Sequence, residues 1–182
     1  MSTALYARGG LRFWSEKEIL FRDQAIASLA LEVAIILRNI NSAWAFHRCE
    51  GPALTPPELI APGYDETDVY FTMQDGFALR PETTASTYVY ARSLIKAGAR
   101  LPLCVWQAGR SYRREQNDGA RASKLRFNEF WQQEFQGIYA SSTKANYQDE
   151  TIMHLVPVIS RLVGHTCRSV ESERLPAYSK RT

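Results

Sequence analysis

The stretch that decides the fold is residues 110–138, RSYRREQNDGARASKLRFNEFWQQEFQGI. It contains two runs rich in aromatic and other strand-forming residues, Ser111–Glu115 and Leu125–Tyr139. Between them lies a polar loop, 116–124, with an Asp-Gly pair that is typical of a turn. The pattern predicts two strands joined by a basic loop.

The longer run places unusual residues on each face of its strand. Because side chains alternate along a strand, one face takes Phe130, Gln132, Glu134 and Gln136, and the other takes Trp131, Gln133, Phe135 and Gly137. A strand this aromatic should be buried, yet each buried polar group without a partner costs about 1–3 kcal/mol. Two interpretations stay open, a polar ligand pocket and a sheet face that is open to water.

The shorter run contains a charged pair that bears on the choice between a ligand pocket and an open sheet face. Arg113 and Glu115 fall on one face of the predicted strand and Arg114 on the other. An arginine beside a carboxylate, facing a strand with a Phe and a Gln, suits a nucleotide, because guanidinium binds phosphate and an aromatic ring stacks on a base. A weak cross-strand salt bridge on the surface is equally compatible with the spacing.

The remaining chain mixes helices with strands. Ser15 with Glu18 forms a capping-box pattern, and apolar residues at helical spacing follow to about Asn39. Further helices are predicted at 83–96 and 147–163, strands at 44–49 and 103–107, and a hairpin around Gln74-Asp75-Gly76 that joins 69–73 to 77–79. This order favours an α+β fold in which helices flank an antiparallel sheet, as a single domain over 1–182.

Composition narrows the functional classes. The chain has 182 residues, 45% of them hydrophobic, and a net charge of +3, so charge alone indicates no polybasic nucleic-acid arm. Three cysteines without a Cys-x-x-Cys pair predict reduced thiols in a cytoplasmic protein, and three histidines without metal-ligand spacing predict no metal site. No apolar run reaches membrane-spanning length, which predicts a soluble protein.

At this point the sequence resembles the class II aminoacyl-tRNA synthetases. Tyr112-Arg113-Arg114-Glu115, the basic loop and Arg126–Phe130 resemble motif 2 of that family, at about 110–137. Residues 19–57 are similar to motif 1, with Pro52 at its signature proline, and Leu79-Arg80-Pro81-Glu82-Thr83, within 79–84, resembles the amino-acid-binding loop. The amino-acid sequence of that loop is most similar to that of glycyl-tRNA synthetase, within the glycyl, threonyl and prolyl group.

The resemblance implies roles on the nucleotide side. Arg113 would be the catalytic residue that binds the ATP α-phosphate, while Glu115 would contact the adenine amino group and Phe130 would stack on adenine. Arg121, together with Arg114, would meet the triphosphate or the acceptor end of tRNA. ATP with its Mg²⁺ is the implied cofactor.

The resemblance also implies an amino-acid-binding site and a homodimer. Glu82 would receive the α-ammonium group of glycine or another small amino acid, and Arg80 would position the same loop. Gln132 and Glu134 would line the amino-acid pocket. Pro52 would lie at a homodimer interface together with the preceding helix, although burial of that helix within the monomer is the alternative.

The sequence departs from the family pattern at three points. Asn128 stands where the family often has an arginine. Motif 3, a Gly-rich strand and helix whose arginine grips the γ-phosphate, has no counterpart in 1–182, and neither have the acidic metal-holding residues expected near it. An anticodon-binding domain is also absent from the sequence. We therefore expect residues 1–182 alone to exchange pyrophosphate slowly.

Two hypotheses of different classes follow. The first is an ATP-dependent ligase that forms an aminoacyl-adenylate and charges tRNA. The second is a truncated, catalytically weak paralogue that binds nucleotide, tRNA or a synthetase partner without turnover. A third interpretation, in which residues 110–137 form only a charged surface, carries no chemistry.

Overall fold

The computed structural model describes residues 6–7, 11–60, 73–114, 127–143 and 146–170. Within these ranges the helices are α1 (Glu16–Ile40), α2 (Thr84–Lys96) and α3 (Tyr147–Val163), and a 3₁₀ turn lies at Pro57–Leu59. The strands are β1 (Tyr6–Ala7), β2 (Leu11–Arg12), β3 (Ala45–Arg48), β4 (Leu54–Thr55), β5 (Ala78–Leu79), β6 (Leu103–Tyr112) and β7 (Glu129–Ile138). The α+β class is thereby confirmed.

The central sheet has the order β3-β6-β7 and is mixed rather than wholly antiparallel. Strands β6 and β7 pair antiparallel over their full length, from Leu103 opposite Ile138 to Tyr112 opposite Glu129. Strand β3 is parallel to β6, with Ala45 opposite Leu103. The physical reason is the long connection through α2, which returns the chain to the same end of the sheet before β6 begins.

Two predicted strands, 103–107 and 111–115, form one strand, β6, that ends at Tyr112. The two predicted strands left 108–110 between them, but Ala108 and Gly109 have ladder partners in β7, Gln133 and Gln132. A Cβ at Gly109 would overlap the guanidinium group of Arg80. Gly109 therefore marks a close approach between a strand and a side chain rather than a turn.

The predicted turn at Gln74-Asp75-Gly76 is confirmed. Met73 N–H donates to the Phe77 carbonyl, and Gly76 has a positive φ of 84°. The following residues form β5, which pairs antiparallel with β4. The other predicted arm, 69–72, lies outside the described residues.

Helices cover both faces of the central sheet. Helix α1 begins at a capping box formed by Ser15 and Glu18, and it packs with α3 on one face, where Val33, Leu37, Trp44, Cys104 and Tyr147 form a buried cluster. Helix α2 covers the other face, where Ala91 packs against Leu103 and Val105. Within the described part of the chain, no helix is long and apolar enough to cross a membrane.

Candidate functional site

The side of the sheet that α2 covers also carries the loop 79–84. Arg80 fixes this loop through hydrogen bonds. Its side chain is buried, and the residue is only 5% exposed. Its Nε donates to the Arg110 carbonyl (2.8 Å) and its Nη1 to the Gly51 carbonyl (2.7 Å). The backbone of Arg80 adds two bonds, from its N–H to the Ala53 carbonyl and from Tyr112 N–H to its own carbonyl. Burial lowers the pKa of the guanidinium, whose ordinary value is far above neutral, so the charge is retained.

Gln107 joins the loop to the start of α2. Its side chain is fully buried, and its Nε2 donates to the Thr83 carbonyl (2.8 Å) and to the Thr87 hydroxyl (2.6 Å). Its Oε1 accepts from Gly51 N–H (3.0 Å). The side-chain amide of Gln107 thus connects β6 to Gly51, to Thr83 in the loop and to Thr87 in α2. It holds the loop against β6 at the point where the apolar residues of that strand end.

Gln132 and Glu134 obtain partners from the chain itself. Ser111 Oγ donates to Gln132 Oε1 (2.7 Å), and Gln132 Nε2 donates to Glu134 Oε1 (2.5 Å). Thr83 and Thr84 donate their hydroxyls to the other carboxylate oxygen, at 2.8 and 2.7 Å. Gln132 and Glu134 therefore have hydrogen-bond partners without a ligand, which was neither of the two interpretations open at the sequence level.

Arg113 and Phe130 meet at the end of the β6–β7 pair. The Arg113 guanidinium carbon lies 5.1 Å from the centroid of the Phe130 ring. Its Nε donates to the Pro81 carbonyl (3.1 Å), and its backbone N–H donates to the Asn128 carbonyl (2.9 Å). A cation that is stacked on an aromatic ring and tied to the loop 79–84 is therefore the charged end of this site.

Glu82 follows Pro81 in the same loop and is 8% exposed, so it is a nearly buried carboxylate. Close to the loop, on α2, Tyr88 has its pKa raised, first by burial and then by the negative charge of Glu134. The arrangement combines an arginine, a stacked aromatic ring and two carboxylates on one side of the sheet. Such a surface can bind a phosphate, a planar base and an ammonium group.

The structure brings together Arg80, Glu82, Gln132 and Glu134 around one loop, with Arg113 and Phe130 at its edge. Glu115 and Arg121 lie outside the described residues. Pro52 is exposed, and its carbonyl accepts from Arg80 Nη1 at 3.3 Å. Sequence reasoning missed Gln107, although an amide directly after the apolar run Leu103–Trp106, in the same predicted strand, was a usable signal.

No metal centre is formed by the residues described: they contain no group of three or more His, Cys, Asp or Glu side chains that could hold an ion. The predicted Mg²⁺ therefore finds no protein cage in that part of the chain.

Comparison with known proteins gives matches only among solved structures, since no family model and no curated protein matches. An ATP phosphoribosyltransferase regulatory subunit/histidyl-tRNA synthetase from Bacillus halodurans C superposes with a TM-score of 0.61 and 18% identity, over 87% of this chain and 38% of that one. Two structures of a pyrrolysyl-tRNA synthetase from Desulfitobacterium hafniense give TM-scores of 0.51 and 0.53, both at 17% identity. They cover 75% and 77% of this chain, and 44% and 47% of theirs.

The chain thus spans less than half the length of each of these structures. At this identity the likeness concerns the fold alone. Nothing in these matches supports the resemblance of the loop 79–84 to glycyl-tRNA synthetase. The α+β domain with its mixed sheet has the class II aminoacyl-tRNA synthetase-like fold.

Proposed function

We propose that this chain carries a site for ATP-dependent activation of an amino acid, in which the amino-acid carboxylate attacks the α-phosphate to give an aminoacyl-adenylate and pyrophosphate. The observation that carries the proposal is the bond from Arg113 to the Pro81 carbonyl. It joins the cation that would meet the phosphate to the loop that carries Glu82. Both reactants would therefore be held by one rigid unit, which is what such an attack requires.

Each side chain has a distinct task in this reaction. Arg113 would neutralise the charge that develops on the α-phosphate, and Phe130 would stack on adenine. Glu82 would bind the α-ammonium group. Gln132 and Glu134 already have partners in Ser111, Thr83 and Thr84, so they would shape the amino-acid pocket by holding the loop.

The proposal extends to residues outside the described part and to partners. Glu115 would contact the adenine amino group, and Arg121 would meet the triphosphate or the acceptor end of tRNA. Mg²⁺ would arrive with ATP. A cytoplasmic location is part of the same proposal, because Cys49, Cys104 and Cys167 are free thiols.

Pyrophosphate exchange tests the reaction directly. Labelled pyrophosphate should enter ATP only when the correct amino acid is present. Arg113→Ala should abolish this amino-acid-dependent exchange. A protein that binds ATP but shows no exchange with any of the twenty amino acids would contradict the enzyme proposal.

A binding module without turnover is the second candidate function. It is favoured by the hydrogen-bond network at Gln132 and Glu134, which gives both side chains partners before any substrate arrives. A similar fold occurs in the ATP phosphoribosyltransferase regulatory subunit/histidyl-tRNA synthetase of Bacillus halodurans C. ATP binding without exchange, together with retention of tRNA or of a synthetase, would select this candidate.

The amino-acid side gives a separate prediction. Glu82→Gln keeps the shape of the side chain but removes its charge, so we expect amino-acid binding to weaken roughly tenfold or more while ATP binding is retained. Calorimetry with glycine, serine, threonine, alanine and proline measures this and tests the predicted preference for a small amino acid. Glu58→Gln, at an exposed site in the 3₁₀ turn, is the matched control. A clear preference for a large apolar amino acid would refute the glycyl-like interpretation.

A homodimer through α1 is also proposed. One apolar face of α1, with Val33, Ile36 and Leu37, is buried within the monomer, as the alternative to a dimer expected. A different stripe of α1 remains exposed, however, including Leu20 (55%), Leu31 (63%) and Ile35 (46%). These positions recur at helical spacing, so two copies could pack their stripes against each other about a two-fold axis.

Leu31→Glu should therefore convert the dimer to a monomer, because it places a charge at the centre of this stripe. Light scattering across a concentration series measures the change. Met153→Glu is the matched control, since Met153 is 64% exposed on α3. A wild-type protein that stays monomeric at high concentration would refute the dimer.

A further inference from the structure

We propose that one side of α2 holds the end of a single-stranded RNA and leads it to the loop 79–84. The surface consists of Tyr88, Arg92 and Lys96, which we call the α2 stripe. These residues recur every four positions, so they lie along one side of the helix, and all three are exposed. The inference rests on the proposed function, because it assigns a path to the RNA that would receive the activated amino acid.

The α2 stripe lies in a positively charged stretch of the chain. Residues 83–102 contain Arg92, Lys96 and Arg100 and no acidic residue. All three cations are exposed, and among the described residues none of them takes part in an ion pair. Lys96 also suits the C-terminal end of a helix, but Arg92 lies a full turn earlier, where the helix dipole does not account for it. These cations complement the charge of a chain of phosphates.

Tyr88 supplies an aromatic surface where the α2 stripe meets the candidate site. It is 50% exposed. Burial, and then the negative charge of Glu134, raise the pKa of its phenol, so the two side chains lie near each other. Glu134 in turn accepts hydrogen bonds from Thr83 and Thr84 of the loop. A half-exposed ring can stack on an unpaired base, and a ring combined with cations favours single-stranded nucleic acid over an acidic peptide.

The charges along α2 also give the RNA a direction. Glu82 and Glu134 lie at the N-terminal end of the helix, where Glu134 bonds to Thr84, the first helical residue, whereas the cations lie toward the C-terminal end. Phosphates should therefore contact Arg92 and Lys96. The last nucleoside should lie near Tyr88 without a terminal phosphate, because the carboxylates would repel one. We assign it to the 3′ end, where RNA carries free hydroxyl groups.

Fluorescence anisotropy with a single-stranded RNA labelled at its 5′ end tests the α2 stripe in the absence of ATP and amino acid. The double substitution of Arg92→Ala and Lys96→Ala should weaken binding and reduce the slope of log affinity against log salt by roughly 0.7 for each phosphate contact removed. Tyr88→Ala should weaken binding roughly 5- to 150-fold, the value of stacking on one base. Tyr88→Phe keeps the ring and should retain most of the affinity. A 3′-phosphate on the RNA should weaken binding to the wild-type protein.

Two matched controls lie off the α2 stripe. Arg38→Ala removes an exposed arginine from α1, which packs on the opposite face of the sheet. Tyr90→Ala removes a ring that is 38% exposed on α2 but lines a separate pocket beside Pro52 and Pro56. Neither substitution should change RNA binding.

An unchanged salt slope in the double variant would overturn the proposal, and so would an equal loss of affinity in Arg38→Ala. A wild-type protein that binds duplex RNA or an acidic peptide as tightly as single-stranded RNA would overturn it as well. Pyrophosphate exchange on the wild-type protein separates this inference from the proposed function. Exchange without RNA binding at the α2 stripe refutes only the RNA path, whereas RNA binding at the stripe without exchange refutes only the activation reaction.

Discussion

Arg113→Ala is expected to weaken ATP binding roughly 10- to 100-fold, the range given by loss of one or two hydrogen bonds to a charged group. The reason is its position, over the Phe130 ring and bonded to the Pro81 carbonyl, where its guanidinium would meet the α-phosphate of a bound nucleotide. Isothermal titration calorimetry with Mg²⁺-ATP measures the change. Phe130→Ala should cost about 1–3 kcal/mol in the same titration if adenine stacks there.

Two controls separate a ligand contact from a loss of structure. Arg92→Ala removes an exposed arginine on α2 and should leave ATP binding unchanged. Arg113→Lys keeps the charge but loses the planar fork, so it should restore only part of the affinity. If Arg92→Ala and Arg113→Ala weaken ATP binding equally, Arg113 does not bind the phosphate.

The second large effect is expected at Gln107. Gln107→Leu keeps the approximate volume of the side chain but leaves Gly51 N–H without its acceptor. The Thr83 carbonyl and the Thr87 hydroxyl also lose the hydrogen bonds that Gln107 Nε2 donates to them. We expect the free energy of unfolding to fall by roughly 2–4 kcal/mol, because several buried groups become unsatisfied together. Urea denaturation followed by circular dichroism measures it.

Gln133→Leu provides a control of the same residue type on the opposite face of the sheet. Gln133 makes one side-chain hydrogen bond, from its Nε2 to the Ile26 carbonyl at 2.9 Å. Its loss should cost about 1 kcal/mol. If the two substitutions destabilise the protein equally, the amide of Gln107 does not hold the loop 79–84 in place.

The sequence by itself determined the elements whose signals are local. The capping box at Ser15, the turn at Gly76 and the end of α3 at Gly164 (φ 71°) each follow from a few neighbouring residues. The alternation along β7 was equally local, and it assigned the faces correctly: Phe135 stacks on Trp106 on one side, while Glu134 meets Thr83 on the other. Such features need no knowledge of distant contacts.

Only the tertiary structure decided what the polar residues do. The direction of β3 relative to β6 depends on the path of the connection between them, which no local pattern encodes. Glu134 meets Thr83 across 51 positions of sequence, and Arg80 meets Gly51 across 29, so their partners could not be read from spacing. Gly109, which lies between the two strands predicted at 103–107 and 111–115, makes room for the Arg80 guanidinium, and only the structure shows this contact. Long-range hydrogen bonds are fixed by packing, and packing is a property of the assembled layers.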